Sequence, residues 1–264
     1  MISVQWGSAT DAGRVREINE DSYLVAPSVF VVADGMGGHA AGEVASAIAV
    51  GEFRALAEQP ELRTEEIAEV IARANRQILD SATLHDGRKG MGTTLAGLGV
   101  VRAGGSPHWA VFNVGDSRIY HYVHGELHQV SVDHSEVQEL ITAGYITPEE
   151  AKTHPDRNVV TRSLGTDPGP VPDIWVFPPV AGERFLICSD GLPRELEDGE
   201  IEQILHRETI AQEAANALVT RAVEAGGHDN ITVVVIDFAG SLAEGLSHEI
   251  DEDTAPRQQG LVGF

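Results

Sequence analysis

Asp21, Asp34, Asp116, Asp190 and Asp229 lie far apart in the sequence but share a local setting. Each stands where an apolar run begins or ends, beside glycine, serine or asparagine that leaves room for another group to approach the backbone. Carboxylates, carbonyls and waters are hard oxygen donors, which select Mg²⁺ or Mn²⁺ over zinc or copper. Two such ions about 3.5–4 Å apart can hold a hydroxide between them and clamp a phosphoryl oxygen during in-line attack. If the aspartates meet at one sheet edge, the chemistry on offer is metal-assisted hydrolysis. Asp34 is the best placed to bridge both ions, because Gly35 exposes a neighbouring carbonyl. An arginine fork suits a phosphate, and Arg16, ahead of Asn19-Glu20-Asp21, is the choice for it.

The elements that must carry these residues are legible in outline. Residues 29–33 are a strand delivering Asp34, and residues 2–6 a short alternating segment before a polar stretch, 7–20. Helical spacing recurs from Ala45 to Leu56 and from Ile67 to Ile78, with Pro60 between. Residues 93–101, 109–114 and 119–123 read as strands at hairpin spacing. Two consecutive helices among strands point to helices layered on a mostly antiparallel sheet. Residues 131–165 form an insertion with short helical pieces at 135–143 and from Pro148. The strands 175–177 and 184–188 follow, the second ending on Asp190, then helical stretches at 198–206 and 210–225 and a last strand at 231–236. The expected domain is 1–238, and 239–264 is an aperiodic acidic tail for which disorder is expected.

Composition narrows the possibilities. Eighteen Lys and Arg against 41 Asp and Glu give a net charge of −23, which repels nucleic acid and anionic membranes and favours cations or basic partner surfaces. No apolar run is long enough to cross a bilayer and no leader pattern opens the chain, so a cytoplasmic monomer is expected, without nucleic-acid or membrane partners. Cys188 is the lone cysteine, which excludes an internal disulfide and a CxxC metal knuckle.

The motifs themselves carry a resemblance. VREINED at 15–21, DGMGGH at 34–39, GMGTT at 90–94, GDSR at 115–118, CSDG at 188–191 and HDN at 228–230 resemble, in order, the motifs of the PPM (PP2C-like) metal-dependent serine/threonine protein phosphatases, with DGMGGH similar to the bacterial branch. The resemblance implies an α+β fold, a four-layer α-β-β-α sandwich of two mostly antiparallel sheets flanked by helix pairs, with residues 131–165 as a flap. It also implies hydrolysis of phosphoserine and phosphothreonine in proteins, including an opposing Ser/Thr kinase, by two Mn²⁺ or Mg²⁺ ions and a weaker third. Asp34 would bridge the pair, the Gly35 carbonyl would bind one ion, and Asp190 and Asp229 the other. Asp116 with Asp190 would form the third site, while Asp21 and Glu20 would act through waters. Arg16 would bind phosphate, and Asn230 would orient the loop of Asp229. Animal-type members have a histidine general acid two positions after the bridging aspartate. Here that residue is Met36, and His39 is the candidate substitute.

Two other readings compete. Cys188 and Arg194 fit C-x5-R, the spacing of a cysteine-based phosphatase loop, although Asp190 within that loop would repel a phosphate. A phosphatase-like domain without activity, serving as a binding module, is the other; the complete acidic set argues against it.

Overall fold

Strands covered on both faces account for the unbroken apolar runs. In β3 (Val29–Met36), Val29, Val31 and Ala33 enter one core while Phe30 and Val32 enter another. In β11 (Ile231–Phe238), Ile231, Val233 and Val235 alternate with Val234, Ile236 and Phe238 in the same way. This is the period-two geometry of a strand applied where neither side meets water. The computed structural model describes residues 4–37, 41–59 and 62–240, so the proposed tail from 241 onward lies outside it.

In chain order, β1 (Val4–Asp11), β2 (Asp21–Ala26) and β3 lead to the helices α1 (Ala41–Ala57) and α2 (Thr64–Leu84). Next come β4 (Gly92–Thr93), β5 (Leu95–Ala103), β6 (Ser106–Val114), β7 (Arg118–Val123) and β8 (Glu126–Gln129). The excursion that follows carries α3 (Glu136–Thr142) and α4 (Pro148–Ala151) and returns to β9 (Asp173–Phe177) and β10 (Arg184–Cys188). The helices α5 (Gly191–Glu195), α6 (Asp198–Arg207) and α7 (Ala211–Ala225) precede β11.

One sheet has the order β1-β11-β10-β7-β8 and the other β2-β3-β5-β6-β9, with β4 pairing β3, and every strand pairing is antiparallel. Three cores separate four layers. The helices α1 and α2 cover the second sheet around Phe53, Ile67 and Phe112. The helices α5, α6 and α7 cover the first around Leu186, Leu218 and Val235. Between the sheets lie Phe30, Trp109, Phe185 and Ile236. Each fully buried side chain of this size stabilises by about 1.5–3 kcal/mol. The expected α+β sandwich of two antiparallel sheets flanked by helices is what the chain forms.

Several boundaries differ from the sequence reading. β1 runs on through Gly7 to Asp11 because it pairs along its length with β11, and a side chain at Gly7 would strike the backbone of Gln212, where α7 crosses. The segment read as one strand at 93–101 breaks at Thr94. Asp34 and Gly35 are part of β3, paired with Asp21 and Thr93.

Candidate active site

Strand register brings the aspartates to one end of the sandwich. Asp21 opens β2 directly opposite Asp34. On the other sheet, Cys188 pairs with both Val233 and Arg118, so the ends carrying Asp190, Asp229 and Asp116 lie side by side. Asp116 rides the crossing from β6 in one sheet to β7 in the other. Gly115 makes that turn at φ 107°, with Thr94 where a side chain would stand. Hydroxyl bonds join the sheets here: Ser189 Oγ donates to Asp21 Oδ2 (2.8 Å), and Thr94 Oγ1 and Ser117 Oγ are 2.7 Å apart.

The carboxylates are crowded and poorly hydrated. Burial, and then the charges of Asp21, Asp190, Asp116 and Asp229, hold the Asp34 carboxyl well above the usual range. Burial likewise pushes Asp21 up to about 7, against hydroxyl bonds from Thr232 and Ser189 that favour its charged form. Asp116 is pushed to about 7 by burial and by the charge of Asp190. Asp190 is raised by burial, opposed by Arg194. The Oδ1 atoms of Asp21 and Asp190 are sealed from solvent without a hydrogen-bond partner. Sealed acceptors of this kind are costly unless a cation faces them.

Two guanidiniums reach the cluster. Arg16 Nη2 is 2.9 Å from Asp229 Oδ2, and Arg194 bonds Asp190 Oδ2 while its Nη1 lies 2.7 Å from Asp229 Oδ2. With these pairs in place, no group of three or more Asp, Glu, His or Cys side chains among the described residues is closed into a metal cage. The donor set is nonetheless all oxygen, and the unpartnered Oδ1 atoms fit a hard divalent cation.

Asn230 binds the Arg16 loop to the Asp229 loop. Its amide nitrogen donates to the Ala12 and Ile18 carbonyls (3.1 and 2.9 Å), and its oxygen accepts the Glu20 N–H at 2.8 Å. Glu20 turns its own carboxylate to the start of α1, accepting from Gly42 N–H at 3.2 Å, while Gly35 and Gly42 let that helix lie against β3.

A model of the family described as protein phosphatase 2C matches residues 14–226. The chain belongs to the protein phosphatase 2C family. It is similar to the serine/threonine phosphatase stp of Listeria welshimeri, 38% identical over 243 residues that make up 86% of this chain and 93% of that protein. Among solved structures it resembles the Mycobacterium tuberculosis serine/threonine phosphatase PstP/Ppp, with a TM-score of 0.83 and 36% identity over 90% of this chain and 99% of that one. It also resembles the catalytic domain of PstP in complex with two manganese ions, with a TM-score of 0.82 and 33% identity over 91% and 100% of the two chains. The protein is therefore a metal-dependent serine/threonine phosphatase of the bacterial branch.

Within this protein phosphatase 2C domain, the structure brings together Asp21, Asp34, Asp116, Asp190, Asp229 and Arg16. His39, the candidate proton donor, lies outside the described residues. The cysteine alternative fails on geometry: Cys188 is buried in the core beneath α5–α7, burial pushes its thiol far up, and Arg194 binds carboxylates. The residues from 131 to 165 leave β8 under the grip of Arg118, whose guanidinium forks onto Asp133 (2.7–3.1 Å), and return where Thr93 pairs with Leu164. A cavity of about 330 Å³ beside this excursion, lined by Asp133, His134, Gln138 and Arg162 among others, includes none of the aspartates of the cluster. Sequence reasoning gave no site role to Ser189 and Thr94, and considered Arg194 only as the partner of Cys188 in the C-x5-R alternative. GMGTT was the signal for Thr94, and the four-residue spacing from Asp190 was the signal for Arg194.

No helix among the described residues is long and apolar enough to cross a membrane.

Proposed function

We propose that this phosphatase cleaves phosphoserine and phosphothreonine in proteins at the aspartate cluster. Asp34, the Gly35 carbonyl, Asp190 and Asp229 would hold two Mn²⁺ or Mg²⁺ ions, Asp34 serving both, and Asp116 with Asp190 would hold a third. One observation supports the reading: the Oδ1 atoms of Asp21 and Asp190 are sealed and unpartnered, in a cluster where the carboxylates of Asp21, Asp190, Asp116 and Asp229 all act on Asp34. When bound, the ions supply an activated water-derived nucleophile for in-line attack and withdraw charge from the phosphoryl group. The phosphorus–oxygen bond to the serine or threonine breaks, inorganic phosphate leaves, and the departing oxygen takes a proton.

Arg16 is the phosphate ligand. It is half-exposed at the mouth of the site and already rests on Asp229, so its fork can turn to two phosphoryl oxygens. Asp21 and Glu20 act through waters, Glu20 while holding the start of α1. Asn230 sets the distance between the Arg16 loop and Asp229. His39 is the proposed proton donor, and His39→Ala with an unchanged kcat would remove it from that role.

Phosphate release from a phosphothreonine peptide with Mn²⁺ tests the proposal. Loss with EDTA and with Asp34→Asn, and survival of thiol alkylation, are expected. Activity that persists in EDTA would refute it. A serine/threonine kinase is the proposed partner and substrate, and the enzyme works as a monomer. An autophosphorylated kinase left untouched under conditions that clear the peptide would refute the pairing, and a dimer mass by light scattering would refute the monomer.

A further inference from the structure

Arg194 has no part in the chemistry above, yet it makes the most intimate cationic contact in the cluster. It lies on α5, four residues after Asp190, so the helix itself returns its side chain to that carboxylate. The same guanidinium spans to Asp229 Oδ2 at 2.7 Å. Neighbouring Glu195 accepts from both the backbone N–H and Nδ1 of His228 at 2.8 Å, so α5 and the 226–230 loop are fastened at two adjacent points. Arg194 is only one-third exposed, and its backbone N–H donates to the Asp190 carbonyl at 3.1 Å. These contacts fix its position.

A guanidinium on these two carboxylates has an electrostatic consequence. Asp190 and Asp229 are the pair proposed to hold one ion, and Arg194 bonds an oxygen of each. Asp190 retains Oδ1, sealed and unpartnered, whereas both oxygens of Asp229 are engaged: Oδ1 by the Asn230 N–H at 2.9 Å and Oδ2 by Arg16 and Arg194. A divalent cation taking up these ligands must displace Arg194 or sit beside its positive charge. Arg16 touches Asp229 alone and is more exposed, so it yields more readily.

We propose that Arg194 is a built-in competitor for the Asp190–Asp229 metal position, weakening cation affinity there while neutralising the two carboxylates whenever the cation is gone. The inference rests on the reading of these aspartates as metal ligands. A unit charge about 5 Å from a divalent ion, even with water-like screening, changes its dissociation constant about tenfold.

The experiment is calorimetric titration of Mn²⁺ into chelator-stripped wild-type protein, Arg194→Gln, Arg194→Met and Arg194→Lys, with Asp34→Asn as control and melting curves in EDTA alongside. The expected result is about tenfold tighter binding in the Gln and Met variants at the Asp190–Asp229 position, with Lys near wild type. The neutral variants should also melt lower than wild type in EDTA and regain the difference with Mn²⁺. Unchanged or weaker Mn²⁺ binding in both neutral variants would overturn the role of Arg194 while leaving the metal site standing. A wild-type protein that takes up no Mn²⁺ would overturn the metal reading itself, and this inference with it.

Discussion

Asp21→Asn should make the EDTA-treated protein more stable while impairing catalysis. The Asp21 carboxylate is held at the sheet edge with Oδ2 bonded to Ser189 and Oδ1 sealed without a partner. Burial moves its pKa from the ordinary 3.8 to about 7, so the folded state holds the proton more tightly than the unfolded chain does. The associated stability is fully present below about 3.8 and is lost as pH rises through about 7. At about 1.4 kcal/mol per pH unit, that interval gives a ceiling of about 4 kcal/mol. Asparagine keeps an acceptor for Ser189 and carries no charge at any pH. A gain of at least about 2 kcal/mol at pH 7.5 is expected, or roughly 4–8 °C in Tm for a domain of this size. The assay is thermal unfolding in EDTA from about pH 4 to pH 8. The variant and wild type should converge near the acid end and separate through neutrality, wild type being the less stable. A variant that melts below wild type at pH 7.5, or an advantage independent of pH, would refute the reasoning.

Other expectations follow from single contacts. Arg184 is buried and holds Asp237 together with the Leu205, Glu208 and Thr209 carbonyls, so Arg184→Met should cost about 3–5 kcal/mol by denaturant unfolding, without changing Mn²⁺ affinity. Asn230→Ala removes three bonds between the Arg16 and Asp229 loops and should cost about 2–3 kcal/mol, with KM for a phosphopeptide rising as well. Arg16→Ala should lower kcat/KM on that peptide by about tenfold or more while Mn²⁺ binding persists, since a charge-assisted bond is worth about 1.5–3 kcal/mol. Full retention of kcat/KM would remove Arg16 from phosphate recognition.

The sequence disclosed elements whose signal is local. Apolar runs closed by aspartate beside a small residue marked the strand ends, and the spacing of Ile67, Val70, Ile71, Ala74 and Ile78 marked α2, whose buried face they form. What it could not disclose depends on pairing between distant segments. Residues 7–11 look like a polar loop and become strand only because β11 lies alongside. Thr94 looks like the second residue of a strand, yet the chain leaves the ladder there and its hydroxyl binds the Asp34 N–H at 3.0 Å. α5 is too short to show periodicity, so Arg194 was matched with Cys188 by spacing when the helix turns it to Asp190. The meeting of the aspartates was an expectation from motif order, and the physical cause is the register of two sheets.

That register makes the site a gauge of how the sheets lie on one another. Asp21 and Asp34 belong to one sheet, while Asp190 and Asp229 flank strands of the other, with the Ser189–Asp21 bond among the links between them. Sliding of the sheets by a fraction of an ångström would change the opening between the two halves of the proposed ligand set. Residues of the layer between the sheets, such as Phe185 and Trp109, would thereby set that opening from a distance. Hydrostatic pressure or a cavity cut into that layer should register as altered cation selectivity well before the fold gives way.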